Sequence, residues 1–434
     1  MTKQLDYLDP QFSATFRKLI NDKRETKANV SKAVKNILSD VRTRGDIAVC
    51  ESTAKFDRFQ LMPEKMAFQS HEISSARDAC SSQTIAALEL AAERITAFHE
   101  KQIPKDVDEV DNIGIRLGYH WTAIDSAGLY VPGGTAAYPS SVLMNAIPAK
   151  VAGVRRLVMV VPTPDGVANH LVLAAAEIAG INEVYRIGGA QAVAALAFGT
   201  QTINAVDKIT GPGNAYVAAA KQQVFGLVGI DMIAGPSEIM VIADSHNDPA
   251  WISADLLSQA EHDPSAQAVL ITDDPSFASS VQSCIDGHLK TLPRAKTAMA
   301  SWRDFGAIIT VPSLFDAIPL INDFAPEHLQ VATENPRDFA LKIRNAGAIF
   351  LGRFTPEAIG DYIGGPSHVL PTARSAKFSS GLSVLDFMKR TSILECDSAS
   401  LKALGPAAKT LAEAEGLDAH ALSIAIRLND SSRL

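Results

Sequence analysis

Three neighbouring runs decide the fold: Leu157-Val-Met-Val-Val161, Leu171-Val-Leu-Ala-Ala-Ala-Glu-Ile-Ala179 and Glu183-Val-Tyr-Arg-Ile187. The first and third are short and β-branched, as strands are, whereas the second is alanine-rich and has the length of a helix. Strands that alternate with helices form a parallel sheet with crossover connections. The alternation continues with a helix at 192–198, a strand at 205–209 and a helix at 215–225.

A second region in which predicted strands alternate with predicted helices begins at residue 238. Its predicted strands are Ile239–Ala243, Ala268–Thr272, Ala307–Val311 and Ala348–Leu351. We expect this second sheet to include the helices that precede residue 129, which would make its domain discontinuous. After Gly381 we expect only short helices. The predicted segments are a helical arm at 1–25, a domain of 26–129 with 238–380, a domain of 130–237 and a tail at 381–434.

Composition narrows the class of protein. The 434 residues are 47% hydrophobic and 20% charged, and 40 basic against 48 acidic residues leave a net charge of -8. The absence of a basic block argues against nucleic-acid binding. No apolar run reaches the roughly 18 residues that span a bilayer, and the N-terminus does not resemble a secretory signal. The four cysteines are far apart, so we expect reduced thiols in a cytoplasmic protein.

Two predicted strands end in glycine-rich turns. These are Ile187-Gly-Gly-Ala-Gln191 and Thr210-Gly-Pro-Gly-Asn214. Glycine lets the backbone N–H groups of a turn and of the following helix approach a phosphate. Neither turn has the G-x-G-x-x-G spacing, so ordinary connecting turns remain an equal alternative.

The polar stretch Asp255-Leu-Leu-Ser-Gln-Ala-Glu-His-Asp263 reads as the end of a helix, since Pro264 follows it. Gln259 and His262 are three residues apart and so project from one face. An amide oxygen and an imidazole suit a divalent metal, although such a helix end is more often a solvated surface.

Other histidines lie at turns with polar neighbours. His328 follows Glu327, and such a pair can supply a general base with a carboxylate beside it to activate water. Asp361 and His368 lie in a glycine-dense loop, and His420 lies on the C-terminal helical tail. Taken alone, the Glu327–His328 pair and His420 are more often solvated surface groups, whereas a loop without function is an equal alternative for Asp361 and His368. Gln259, His262, Asp361 and His420 together would make a nitrogen–oxygen site suited to Zn²⁺ or Mn²⁺.

A series of motifs in fixed order gives the chain a resemblance to histidinol dehydrogenases, from about Lys23 to Arg427. The motifs are Tyr130-Val-Pro-Gly-Gly-Thr, Tyr138-Pro-Ser-Ser-Val-Leu-Met-Asn145, Gly211-Pro-Gly-Asn-Ala-Tyr216, Gly235-Pro-Ser-Glu238, Leu257-Ser-Gln-Ala-Glu-His-Asp263, Pro326-Glu-His-Leu329, Gly360-Asp-Tyr362, Pro366-Ser-His-Val-Leu-Pro-Thr372 and Glu415-Gly-Leu-Asp-Ala-His420.

The resemblance implies an α/β fold of two incomplete Rossmann-like domains with parallel sheets, plus small helical N- and C-terminal pieces. It implies a cytoplasmic homodimer that oxidises L-histidinol to L-histidine through the aldehyde, with one Zn²⁺ per site and two NAD⁺ used in sequence. The active site would be shared, because the tail would reach the partner subunit. The 130–237 domain would bind NAD⁺, and the discontinuous domain would carry the metal and the catalytic residues.

The same resemblance assigns roles to matching residues. The implied metal ligands are Gln259, His262, Asp361 and His420. The implied catalytic residues are Glu327 and His328. The implied substrate contacts are Ser237, His368 and Glu415, together with the metal ligands and His328. The implied NAD⁺ contacts are Tyr130, Gln191 and Asn214.

Two alternatives remain at this stage. One is a paralogue that uses the same zinc and NAD⁺ chemistry on another small alcohol, such as a sulfonated diol. The other is a non-catalytic metal- or nucleotide-binding protein, which the presence of Glu327, His328 and all four metal positions disfavours.

Overall fold

The computed structural model describes residues 2–21, 30–133, 138–233 and 235–429. The predicted boundary between residues 25 and 26 lies outside these ranges, as do Gly134 and Thr135 of the first motif. Over the described residues the strands are β1 (Lys3–Asp6), β2 (Val107–Val110), β3 (Arg116–Ala123), β4 (Ser126–Tyr130), β5 (Arg156–Val160), β6 (Glu183–Tyr185), β7 (Lys208–Thr210), β8 (Gly229–Ile230), β9 (Glu238–Ala243), β10 (Gln267–Thr272), β11 (Ala307–Thr310), β12 (His328–Ala332), β13 (Ala348–Leu351) and β14 (Met388–Glu395).

The α-helices alternate with these strands through most of the chain. They are α1 (Phe12–Asn21), α2 (Val30–Arg44), α3 (Asp46–Phe56), α4 (Ser70–Asp78), α5 (Ser82–His99), α6 (Pro139–Ala152), α7 (His170–Ala179), α8 (Gly189–Phe198), α9 (Ala215–Val224), α10 (Pro249–Ala260), α11 (Pro275–His288), α12 (Ala295–Asp304), α13 (Ala317–Phe324), α14 (Pro336–Ala340), α15 (Glu357–Tyr362), α16 (Ser398–Ala414) and α17 (Asp418–Asn429).

Two parallel sheets form the framework that the strand–helix rhythm predicts. The five-stranded sheet has the order β6-β5-β4-β7-β8, and the six-stranded sheet has the order β1-β11-β10-β9-β12-β13. Every strand pair in both sheets is parallel. The α/β fold class with two Rossmann-like sheets is therefore confirmed.

The six-stranded sheet is buried on both faces, as parallel sheets are. On β9 the residues Ile239 and Val241 pack with helices α10 to α12, whereas Met240 and Ile242 pack with α1 and α13. The alternation follows from the two-residue period of a strand. Strand β12, which the sequence analysis did not predict, lies between β9 and β13 in this sheet.

The N-terminal helices pack where the sequence analysis did not place them. Apolar residues of α2 and α3, such as Val34, Leu38 and Val49, share a core with Val158 and Ile187 of the five-stranded region. Conversely, β1 extends the six-stranded sheet by pairing with β11, so the first residues are not only a helical arm. Amphipathic helices show which face is buried but not which sheet buries it, which explains the difference.

The chain divides into two compact units. One comprises Met1–Gln102 with Asp125–Phe387, and the other comprises Ile103–Ile124 with Met388–Leu434. The second unit contains an antiparallel sheet of order β14-β3-β2 and the helices α16 and α17. Strand β14 corrects the expectation that only helices follow Gly381: its eight residues pair with β3 along their whole length.

In the described part of the chain, none of the helices has both the length and the apolar character needed to cross a membrane.

Candidate active site

A cleft of about 1090 Å³ in the first unit is lined by residues from both parallel sheets. The five-stranded sheet contributes the carboxyl ends of β4 and β7, where ligands of open α/β sheets usually bind. The six-stranded sheet contributes its amino edge instead, because Ser237, Glu327 and His328 stand at the starts of β9 and β12. The cleft therefore lies between the carboxyl ends of strands in one sheet and the amino-terminal ends of strands in the other.

Glu238 holds both predicted catalytic side chains through its main chain. Its N–H donates to Glu327 Oε2 at 2.9 Å, and its carbonyl oxygen accepts from His328 Nδ1 at 2.9 Å. A carbonyl oxygen can only accept, so Nδ1 carries the proton and Nε2 keeps its lone pair. The pairing of β12 with β9 sets this arrangement, because His328 lies opposite Ile239 in the sheet.

His328 has the orientation and the tautomer that a general base requires. Its Nε2 is buried and has no hydrogen-bond partner among the described residues. Two carboxylate oxygens face it, Glu357 Oε1 at 3.6 Å and Asp361 Oδ1 at 3.8 Å. Burial lowers the pKa of His328 below its usual range because it disfavours the imidazolium. The ring is therefore neutral at physiological pH and can accept a proton.

Burial has the opposite effect on the pKa of Glu327. The carboxyl is buried, and desolvation raises its pKa well above the usual range, helped by the neighbouring carboxylates of Glu238, Asp361 and Glu357. The hydrogen bond from the Glu238 N–H acts the other way and favours the ionised form. A carboxyl whose pKa lies closer to neutrality is a stronger base when ionised, which suits the activation of water.

Three of the four predicted metal ligands border the same cleft. Gln259 lies in the last turn of α10, and His262 lies in the turn that follows, where its N–H donates to the Gln259 carbonyl at 3.2 Å. The Gln259 Oε1 atom is buried without a hydrogen-bond partner among the described residues. Asp361 reaches the cleft from α15. A buried amide oxygen without a partner is costly unless a cation or a ligand completes it.

Glu357 is a buried carboxyl that the sequence analysis missed. It begins α15, one turn before Asp361, and its Oε2 accepts from Ser258 Oγ at 3.3 Å. Burial, together with the Asp361 carboxylate, raises its pKa well above the usual range. Donor atoms of His328, Glu357 and Asp361 lie within 4.8 Å of one another, a spacing that can hold a cation. The signal in the sequence is a carboxylate four residues before a predicted ligand.

Two further predicted substrate contacts, Ser237 and His368, lie in the first unit. His368 Nδ1 donates to the Asp361 carbonyl at 2.9 Å, so Nε2 accepts from Ser141 Oγ at 3.2 Å. Burial lowers the pKa of His368 and keeps the ring neutral. Ser237 borders the cleft immediately before β9. Ser141, which the sequence analysis did not single out, thus joins helix α6 to the loop that carries His368. Asp361 was predicted in the same loop but lies in the last turn of α15.

His420 and Glu415 belong to the second unit. Glu415 follows α16 and His420 lies in the first turn of α17, and both residues are exposed. An exposed imidazole and an exposed carboxylate are available to a ligand or to another chain.

The three predicted NAD⁺ contacts cluster at the carboxyl edge of the five-stranded sheet. Tyr130 ends β4, and its hydroxyl accepts from the Gly189 N–H at 3.0 Å. Burial raises the pKa of Tyr130 to about 12, so the hydroxyl keeps its proton and can also donate. Gln191 is buried in the first turn of α8. Asn214 caps α9, with Oδ1 accepting from the N–H groups of Tyr216 at 3.0 Å and Val217 at 3.2 Å.

Comparison with known proteins identifies the family. Residues 20–428 match the family model described as histidinol dehydrogenase. A histidinol dehydrogenase of Rhodopseudomonas palustris is 61% identical over 429 residues, which cover 99% of this chain and all of that protein. A histidinol dehydrogenase of Rhizobium meliloti is 60% identical over 429 residues, which cover 99% of this chain and 99% of that protein.

The chain belongs to the histidinol dehydrogenase family.

A solved structure supports the same assignment at the level of the fold. The crystal structure of histidinol dehydrogenase from Elizabethkingia anophelis matches with a TM-score of 0.94 at 35% identity, and the match covers 98% of each chain. Both the sequence and the three-dimensional arrangement of this chain are thus those of the histidinol dehydrogenase family, over nearly its entire length.

The residues of the cleft also fit the groups that a zinc- and NAD-dependent histidinol dehydrogenase would hold. The unpartnered Gln259 oxygen, the exposed His262 imidazole and the Asp361 carboxylate are hard or borderline donors that suit Zn²⁺. Asn214, which borders the cleft, opens helix α9, and a helix N-terminus favours the phosphates of a dinucleotide.

Proposed function

We propose that this chain catalyses the two-step oxidation of L-histidinol to L-histidine, with L-histidinaldehyde as the intermediate and two NAD⁺ as the electron acceptors. The observation that supports it most directly is the arrangement at β9 and β12. There the Glu238 main chain fixes Glu327, and His328 Nε2 has no hydrogen-bond partner among the described residues. A base with a fixed tautomer is what the removal of a hydroxyl proton requires.

In the proposed first step, His328 Nε2 takes the proton of the substrate hydroxyl as a hydride leaves the same carbon. In the second step the aldehyde is hydrated, with Glu327 activating the water, and His328 removes a hydroxyl proton of the hydrate as the second hydride leaves. Each step reduces one NAD⁺, so the alcohol loses four electrons in all. The first step releases one proton, and the second releases two, because the carboxylic acid formed from the hydrate ionises. Burial of both side chains keeps bulk water from the reacting groups.

Gln259, His262 and Asp361 would hold Zn²⁺ together with His420 of a second subunit, and Tyr130, Gln191 and Asn214 would contact NAD⁺. When bound, Zn²⁺ supplies a redox-inert Lewis acid that orients the substrate, and NAD⁺ supplies the hydride acceptor. Ser237, His368 and Glu415 would contact the substrate. We assign the 130–237 segment to NAD⁺ binding, and the metal and catalytic residues to the segments around the six-stranded sheet.

The charge of the cleft favours a cationic substrate. Its acidic lining residues are Asp231, Glu261, Asp263, Asp304, Glu327 and Asp361, against the basic residues Lys221 and Arg294. Lys221 is paired with Asp231, and Asp361 is a proposed metal ligand, so among the described lining residues Glu261 and Asp263 are the main groups that favour the positive ammonium group of an amino alcohol over a sulfonate. This distribution disfavours the paralogous activity on a sulfonated substrate.

The chemical test uses the two substrates side by side. We expect the zinc-loaded chain to reduce two NAD⁺ for each L-histidinol consumed and to give no NADH above background with sulfopropanediol. Absorbance of NADH measures both reactions, and chromatography of the product checks for L-histidine. Turnover with the sulfonated diol, or none with L-histidinol, would contradict the proposed function.

We also propose that the enzyme is a cytoplasmic homodimer in which the second unit completes the partner's site. That unit carries large apolar side chains on its surface, including Leu394, Leu411 and Leu422, each more than 60% exposed. Exposed apolar residues concentrated on one small unit are typical of a protein interface. A reducing cytoplasm agrees with the four free cysteines.

A mixed-subunit experiment tests the shared site. The variants His328→Asn and His420→Asn should each be inactive as pure homodimers. Unfolding and refolding them together at equal amounts should restore about a quarter of the wild-type activity, because half of the dimers are mixed and each has one intact site. No recovery, although mixed dimers form, would show that both residues act within one chain.

A further inference from the structure

Lys221 and Asp231 form an ion pair in the wall of the cleft. Their side chains are only 4% and 1% exposed, and Lys221 Nζ contacts Asp231 Oδ1 directly. Lys221 lies in α9, and Asp231 follows β8. Removing two charges from water is costly, and an apolar pair of similar volume commonly serves stability as well or better. We therefore expect the pair to act through its hydrogen bonds to other groups.

Both side chains bind the main chain of one residue, Gly211. Its N–H donates to Asp231 Oδ2 at 2.8 Å, and its carbonyl oxygen accepts from Lys221 Nζ at 2.9 Å. Gly211 has a φ of +111°, and a Cβ there would collide with the carbonyl oxygen of Tyr130. The pair thus satisfies both polar groups of a residue whose backbone conformation only glycine adopts readily.

This residue opens the turn that leads from β7 to α9. The turn is Gly211-Pro-Gly-Asn214, and all four residues border the cleft. Its far end is fixed by the Asn214 side chain, which caps α9. The near end adjoins Tyr130, another predicted NAD⁺ contact. A turn held at both ends keeps Gly213 and Asn214 in one fixed position beside the first turn of α9.

We propose that Lys221 and Asp231 are positioning residues that fix the Gly211–Asn214 turn for the pyridine dinucleotide, an inference that rests on the proposed NAD⁺ site. The pair acts through Gly211 and does not touch the reacting atoms. Its polarity supplies the donor and the acceptor that the Gly211 main chain needs in a buried wall. Loss of the pair should weaken dinucleotide binding and leave the metal and the catalytic base unchanged.

The decisive variant is the double replacement of Lys221→Met with Asp231→Leu, which removes both charges together and so leaves no lone buried ion. We expect its KM for NAD⁺ to rise on the order of 10-fold, because two hydrogen bonds that hold the turn are lost. The kcat at saturating NAD⁺, the KM for L-histidinol and the bound zinc should stay within about twofold of wild type. Fluorescence titration with NADH measures the dinucleotide affinity directly.

The matched control removes another Lys–Asp pair, whose lysine lies in β7, the strand that leads into the Gly211–Asn214 turn. Lys208 of β7 contacts Asp386, away from the Gly211 turn. The double variant Lys208→Met with Asp386→Asn should keep the KM for NAD⁺ of the wild type. If the Lys221 and Asp231 double variant does not fold, the variant Lys221→Met with Asp231→Asn, which keeps an acceptor for the Gly211 N–H and leaves no lone buried charge, should show a smaller rise of the same kind.

Two results would overturn the proposal. One is a folded variant with unchanged NADH affinity, and the other is an equal loss of affinity for NADH and for L-histidinol, which would show general damage to the structure. Failure of the proposed function would look different. In that case the wild-type chain itself would not reduce NAD⁺ with L-histidinol.

Discussion

The variant His328→Asn should turn over L-histidinol at no more than about one hundredth of the wild-type kcat, the usual scale for losing a general base. The asparagine amide can still donate to the Glu238 carbonyl, as His328 Nδ1 does, so the strand register and the neighbouring Glu327 should be retained. No atom of the amide can accept a proton at the position of Nε2. Stopped-flow measurement of the first NADH formed, at saturating substrate and NAD⁺, isolates the affected step.

The variant should nevertheless bind zinc, since His328 is not among the four proposed metal ligands. It should also bind the substrate, since the other proposed substrate contacts remain. Metal content after dialysis and calorimetric titration with L-histidinol check this. His246→Asn is the matched control, because the His246 side chain is 84% exposed and should not affect turnover. A kcat for His328→Asn near the wild-type value would refute the role of His328 as the base.

The variant His262→Asn should lose most of its affinity for zinc, by on the order of 100-fold or more, because it removes the only imidazole ligand that this proposed site takes from the first unit. His262 is exposed in the turn after α10, so its replacement should leave the free energy of unfolding of the metal-free chain almost unchanged. Competition with a chromophoric chelator measures the zinc affinity, and activity should return in part when zinc is in large excess.

His71→Asn is the corresponding control, since His71 is exposed on α4 and does not border the cleft. Full zinc content in His262→Asn would remove His262 from the ligand set. The cluster of His328, Glu357 and Asp361 would then become the better candidate for the metal.

The sequence predicts the parallel sheets well because a strand–helix alternation has few ways to pack. It does not predict β12. The run that contains it follows Pro326 and begins with the polar pair Glu327-His328, so it resembles a turn and not a buried strand. Only the pairing of β12 with β9 shows that His328 begins a buried strand of the six-stranded sheet.

The site shows a similar division between what the sequence reveals and what it does not. Residue types and the family resemblance single out Gln259, His262 and Asp361, and the structure places them on one cleft. The anchor of the catalytic pair is invisible in the sequence, because it is the main chain of Glu238 and not its side chain. Glu357 was missed for another reason: its importance depends on burial against Ser258 and Asp361, which only the fold determines.

The amino-terminal ends of β9 and β12 lie at the cleft, so the carboxyl ends of these parallel strands point away from it. Strand β9 has six residues, so its carboxyl end lies roughly 17 Å from the catalytic pair. The turn at Asp273 and Asp274, between β10 and α11, lies at the carboxyl end of the neighbouring strand β10. A dye, a surface tether or a short peptide inserted there would report on the enzyme, or immobilise it, without entering the space where the alcohol is oxidised.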